Sequence, residues 1–91
     1  MRSTTMNSPA NSEAITWAGN LNSDCTAQWA GLLLHAEEME RTFWVWAVYD
    51  EKTNEVISNS SGSAIRATSG KKARFAAETA ARGHIEKQTN A

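Results

Sequence analysis

The densest apolar run of the chain is FWVWAVYD, at residues 43–50. The run is rich in aromatic and β-branched residues, the turn-forming stretch DEKTN closes it, and EVISNS resumes extended character, so residues 43–60 are predicted to form a β-hairpin. Alternation along the first strand makes two rows on opposite faces, Trp44, Trp46 and Val48 on one and Phe43, Val45, Ala47 and Tyr49 on the other. Because both rows are apolar, this strand is expected in the middle of a sheet.

A second pattern predicts a helix at the C-terminal end, over about residues 69–86. In TSGKKARFAAETAARGHIEK, four alanines and a histidine recur at helical spacing, after Thr68 and Ser69 as candidate N-caps: Ala73, Ala76, Ala77, Ala80 and His84. A stripe of alanines lets a helix lie close to a flat sheet. Arg74, Glu78, Arg82 and Glu86 follow one another at intervals of four and are expected on the solvated side.

Residues 24–40 allow two interpretations. As a helix, they would bury a stripe of Cys25, Trp29, Leu32, Leu33, Ala36 and Met39, and the fold would be α-β-β-α. As a strand within 26–38, they would add a third member to the sheet, and Gly31 in the middle argues against the helix. The strand is preferred because a lone hairpin needs a third strand or a second helix to be stable, and the turn after Met39 suits a meander of strands. The predicted fold class is therefore α+β, with a small antiparallel sheet packed on one C-terminal helix.

The 91 residues are predicted to form one domain. Residues 1–14 and 88–91 are polar and are expected to be disordered tails, which leaves a domain over 15–87. A core of that size is marginal, so self-association is an option. The start of the chain lacks the apolar stretch of a secretory signal, and no run is long enough to span a membrane, so a cytoplasmic protein without a membrane partner is expected. The single cysteine, Cys25, has no internal disulfide partner.

The net charge of −1 hides a division along the chain. From Asp24 to Glu55, seven acidic side chains stand against two basic ones. From Arg66 to Lys87, six basic side chains stand against two acidic ones. A basic surface near the C-terminal helix is therefore expected.

The residues that could support catalysis or hold a metal do not form a recognisable set. Cys25 with His35 or His84 is the only combination of a thiol and a base, and HAEE offers His35, Glu37 and Glu38 without a second histidine nearby. The stretch SGSAIRATSGKK has the wrong spacing for a phosphate-binding loop, and Lys72 stands where Ser or Thr is required. The sequence therefore predicts a protein that is not an enzyme and uses no cofactor or metal.

The stretch SGKKARFAAETAA resembles the start of the last helix of double-stranded-RNA-binding domains, in which paired lysines contact phosphates. The resemblance covers under a fifth of the chain, and its register is shifted, since Ala73 follows the lysine pair directly. It implies a nucleic-acid contact at Lys71 and Lys72. Together with the charge pattern, it suggests an alternative function, nucleic-acid binding through a basic surface of Arg66, Lys71, Lys72 and Arg74.

The preferred function is a protein-interaction module that uses an aromatic sheet face to bind a protein partner or a second copy of itself. Tryptophan and tyrosine are enriched at interfaces, and four tryptophans are many for so small a chain. The expected interface residues are Trp29, Trp44, Trp46 and Tyr49. The same tryptophans would equally suit the core, and the sequence does not decide which face of the sheet is exposed.

Overall fold

The computed structural model describes residues 14–62 and 67–89, which form a five-stranded antiparallel sheet and one long helix. The strands follow one another as a meander, in the spatial order β1-β2-β3-β4-β5. This confirms the predicted α+β fold. The elements are β1 (Ala18–Asn20), β2 (Asp24–Trp29), β3 (Leu32–Glu40), β4 (Phe43–Asp50), β5 (Val56–Asn59), a 3-10 turn (Ser60–Gly62) and α1 (Gly70–Thr89).

Residues 24–40 form two strands joined by a tight turn, so the helical alternative for this segment is wrong. The turn consists of Ala30 and Gly31, with φ angles of 54° and 79°. Two consecutive residues with positive φ are what a two-residue type I′ hairpin requires, because that turn matches the twist of its strands. The glycine that argued against a helix is therefore half of a hairpin turn, and it ends one strand before the next begins.

The predicted hairpin at residues 43–60 is present as β4 and β5, with a five-residue loop between Asp50 and Val56. The Asp50 carboxylate accepts hydrogen bonds from the backbone N–H groups of Lys52 (2.8 Å) and Thr53 (3.1 Å). These two bonds hold the pKa of the Asp50 carboxyl below its ordinary value, and the bond from Thr53 has the larger effect. Their stabilisation is complete above the ordinary pKa and is lost as the pH falls through the lowered one.

Beyond the end of β5, residues outside the strands complete the hydrogen bonding of β4 along the same edge. The backbone N–H of Trp44 donates to the carbonyl of Ala67 at 3.0 Å, and that of Trp46 donates to the hydroxyl of Ser60 at 3.3 Å. Because its hydrogen-bonding groups are satisfied on both edges, β4 is an interior strand, as its two apolar rows predict.

Helix α1 begins at Gly70 after an N-cap at Ser69. The Ser69 hydroxyl accepts a hydrogen bond from the N–H of Lys72 at 3.2 Å, and the Ser69 carbonyl accepts the helical bond from Ala73 at 3.0 Å. The helix continues through Gly83 to Thr89, so it includes Gln88 and Thr89, whereas the sequence predicts a disordered tail from residue 88. The predicted N-terminal tail lies outside the described residues except for Ala14.

The core lies between α1 and one face of the sheet. Three alanines on one side of the helix are completely buried: Ala73, Ala77 and Ala81. The sheet contributes Cys25, Ala27, Trp29, Leu32, Leu34, Ala36, Trp44, Trp46 and Val48. The stripe therefore runs along 73, 77 and 81, whereas Ala76 and Ala80 are only partly buried at its side.

Two further features of the described residues bear on the expectations from sequence. Between residues 14 and 62 the structure contains strands and one 3-10 turn but no α-helix. Helix α1 lacks the continuous apolar length that a membrane span requires.

Candidate functional site

The tryptophan row of β4 faces the helix. Trp44 and Trp46 are only 5% and 7% exposed, and Trp29 is 6% exposed at the end of β2. Of the four residues expected at an interface, the structure therefore places Trp29, Trp44 and Trp46 in the core. Tyr49 alone lies on the opposite face of the sheet. An interface on the sheet has to be formed by the row that includes Tyr49.

The tryptophans fill the space that the alanine stripe leaves beside the helix. The six-membered ring of Trp44 lies so close to Gly70 that a Cβ added there would be 2.8 Å from its Cη2 atom. Trp17, just before β1, donates its indole N–H to the Glu78 carboxylate at 2.7 Å. Broad indoles on the sheet and small side chains on the helix are thus complementary in shape.

Arg82 lies over Trp29, which differs from the expectation that it would be a solvated residue of the outer helix face. Its guanidinium carbon is 5.1 Å from the centre of the indole ring, within the range of a cation–π contact. The indole N–H of Trp29 is buried and has no hydrogen-bond acceptor among the described residues. Arg82 therefore covers one end of the core.

The open face, defined here as the sheet face turned away from α1, carries an apolar strip along β4. Cross-strand pairing forms one row of Gln28, Leu33, Tyr49 and Val56, a second of Thr26, His35, Ala47 and Asn59, and a third of Asp24, Glu37 and Val45. Leu33, Val45 and Tyr49 are half-buried by their neighbours, whereas Val56 is 54% exposed. Helix α1 and the residues that precede β1 pack on the other side.

One corner of the open face is polar. The Nε2–H of His35 donates to the Asp24 carboxylate at 2.7 Å, and its distance to the Glu37 carboxylate is 4.0 Å. The Asp24 side chain is exposed and that of Glu37 is partly exposed. Within the described part of the chain, no group of three or more His, Cys, Asp or Glu side chains is arranged to hold a metal ion.

The candidate nucleophile and its candidate bases are not brought together. Cys25 is 1% exposed on the helix face, and its Sγ lies 3.7 Å from the carbonyl oxygen of Ala36. His35 lies on the open face, because it pairs with Thr26 and not with Cys25. His84 lines a small cleft of about 260 Å³ at the far end of β2, together with Gly31, Leu32 and Lys52. The sheet therefore separates Cys25 from His35, and the length of β2 separates it from His84.

The basic residues at the start of α1 are close together and have no carboxylate partners among the described residues. The Lys72 ammonium donates to the Thr68 hydroxyl at 3.2 Å, and Arg74 donates from Nη1 to the Leu21 carbonyl at 2.8 Å. Lys71 extends into solvent. Arg66, the fourth residue of the predicted basic surface, lies outside the described residues.

Sequence reasoning missed Phe75, which stands among these cations and is 70% exposed. The signal was present in the sequence. A stripe at 73, 77 and 81 puts residue 75 on the opposite side of the helix, since two residues correspond to about 200° of rotation.

No family model, no curated protein and no solved structure matches the chain.

Proposed function

We propose that this protein is a non-enzymatic interaction module that associates with a second copy of itself through the open face. One observation carries the proposal. Strand β4 presents only apolar side chains on this face, and none of the described elements packs on it, while the other face is filled by α1. An uncovered apolar patch on a small domain usually marks an interface.

The dimensions of the open face suit a modest homodimer. Five strands at about 4.8 Å spacing and eight residues at about 3.3 Å each give a plane of about 500 Å² per copy. Two copies packed face to face would bury about 1,000 Å² in total, which is at the lower end for specific interfaces. The dimer is therefore expected to be reversible and concentration-dependent.

The distribution of charge on the open face favours a two-fold arrangement. The carboxylates of Asp24 and Glu37 lie at one corner, on β2 and β3, and the apolar residues lie along β4. A two-fold axis in the plane of the interface that passes over Ala47 places the apolar strip of one copy on that of the other. The same operation keeps the two acidic corners apart, so the copies meet without like charges opposite each other.

The test is the molar mass in solution, measured by light scattering at protein concentrations on the order of 10 to 500 µM. This range covers the dissociation constants expected of an interface this small. The mass of the wild-type chain should rise from one protomer towards two. Tyr49→Lys places a charge in the middle of the apolar row and should keep the protein monomeric.

Met39→Lys is the matched control, because Met39 is 55% exposed in the bulge of β3, beyond the apolar rows. This variant should associate like the wild type, and circular dichroism should show that both variants keep the fold. A wild-type chain that stays monomeric over the whole range would refute the proposal. So would association that is unaffected by Tyr49→Lys.

A further inference from the structure

The most exposed large apolar side chain among the described residues is Phe75, on the side of α1 directly opposite the core. Lys71 and Lys72 precede it by four and three residues, so they are its neighbours on the helix surface, with about 5–6 Å between Cβ atoms. Arg74 lies at the flank of the same turn. We call Lys71, Lys72, Arg74 and Phe75 the Phe75 surface.

The fold accounts for only part of the Phe75 surface: Arg74 donates to the Leu21 carbonyl and Lys72 to the Thr68 hydroxyl. Burial of Phe75 contributes little, and phenylalanine is a weaker helix former than the alanines around it. The three cations make no ion pair with any described carboxylate. Glu78, the nearest acid along the helix, accepts the Trp17 indole N–H. The surface thus combines an exposed aromatic ring with positive charge that no described carboxylate neutralises.

We infer that the Phe75 surface binds single-stranded nucleic acid, with a base stacked on Phe75 and the adjoining phosphates held by Lys71 and Lys72. Single strands present flat bases and phosphates alternately, and proteins bind them with aromatic side chains beside basic ones. A duplex hides its base faces, so it could use the charge but not the ring. An interfacial membrane helix needs a broad apolar face, whereas Phe75 is the only aromatic residue on the outer side of α1.

The Phe75 surface lies on α1, and the open face is on the far side of the sheet. The inference therefore does not depend on self-association. If both proposals hold, a dimer would carry one such surface on each of its two outer sides.

The experiment measures fluorescence anisotropy of a labelled oligodeoxythymidine of about 12 nucleotides, a length within the usual site sizes for single strands. It compares this strand with an abasic strand of equal length, a duplex of equal length and phosphatidylserine vesicles. The full chain should bind the oligodeoxythymidine most tightly at low salt. Removing the bases should weaken binding by roughly 5- to 150-fold, the effect of losing one stacked base.

Three variants test the residues. Phe75→Ala should remove the preference for the oligodeoxythymidine over the abasic strand and leave the salt dependence unchanged. Lys71→Ala and Lys72→Ala should each reduce the slope of log affinity against log salt by about 0.7. Lys87→Ala is the control, since Lys87 is an exposed lysine near the other end of the helix, and it should change the slope less than either.

The inference would be overturned if the chain did not bind the oligodeoxythymidine at about 50 mM salt, where phosphate contacts are strong. Equal affinity for the abasic strand, or a preference for the duplex or the vesicles, would also overturn it. So would an effect of Lys87→Ala as large as that of Lys71→Ala. Circular dichroism of each variant excludes loss of the fold as the cause.

Discussion

At the scale of single residues, the core depends on pairing the smallest helix side chains with the largest sheet side chains. Ala73, Ala77 and Ala81 are completely buried, and they allow the helix to approach a sheet that carries Trp44 and Trp46. The helix and the sheet therefore constrain the size of each other's side chains at these positions, because protein interiors are packed without spare volume. This pairing explains why two tryptophans stand one residue apart on β4.

Replacing Ala77 by leucine should destabilise the protein by about 1–3 kcal/mol, because the added atoms have no space between helix and sheet. Urea unfolding measures the effect as a lower midpoint at an unchanged m-value. Thr79→Leu is the matched control, since residue 79 is exposed on the same helix, and it should be nearly neutral. Equal effects at the two positions would contradict the assignment of the stripe. Arg82→Ala is not a neutral control, because it would uncover Trp29.

At the scale of elements, the sequence predicts best where its periodicity is strong. The β4–β5 hairpin and α1 were found with nearly correct bounds. The segment 24–40 was harder, because a run with apolar residues at both helical and strand spacing does not distinguish two short strands from one helix. Ala30 is not a typical turn residue, so the turn that separates β2 from β3 was not recognised. Strand β1 was missed, because its three residues, Ala18–Asn20, are all exposed and carry no pattern.

The orientation of β4 could not be predicted, since both of its rows are apolar. The orientation depends on tertiary packing, because the indole rings of β4 fit against the alanine stripe of α1. The candidate interface is therefore the row of Tyr49 and not the tryptophan row, whereas the outward position of Phe75 follows already from the spacing of the alanines.

The two glycines within α1 should respond to alanine with opposite signs. A Cβ at Gly83 meets nothing within 4 Å, so Gly83→Ala should stabilise the protein by about 0.5–1 kcal/mol through helix propensity. A Cβ at Gly70 would lie 2.8 Å from the Trp44 ring and 3.0 Å from the Leu21 carbonyl oxygen, so Gly70→Ala should destabilise it. Thermal unfolding of the two variants measures both signs, and stabilisation by both would contradict the close approach of α1 to the sheet.

At the scale of the whole molecule, the core and the proposed interface lie on opposite faces of the sheet, and tryptophan fluorescence can distinguish the two faces. Trp29, Trp44 and Trp46 are buried on the helix side, and Trp17 packs against the same core, whereas the proposed interface lies on the other side. Dilution that dissociates the dimer should therefore halve the molar mass without changing the tryptophan emission maximum or its quenching by acrylamide. Tyr49→Lys should likewise abolish association and leave the emission unchanged. A shift of the emission to longer wavelength that follows the fall in mass would instead place tryptophans at the contact between copies, because the emission of an indole moves in that direction when its own surroundings become more polar.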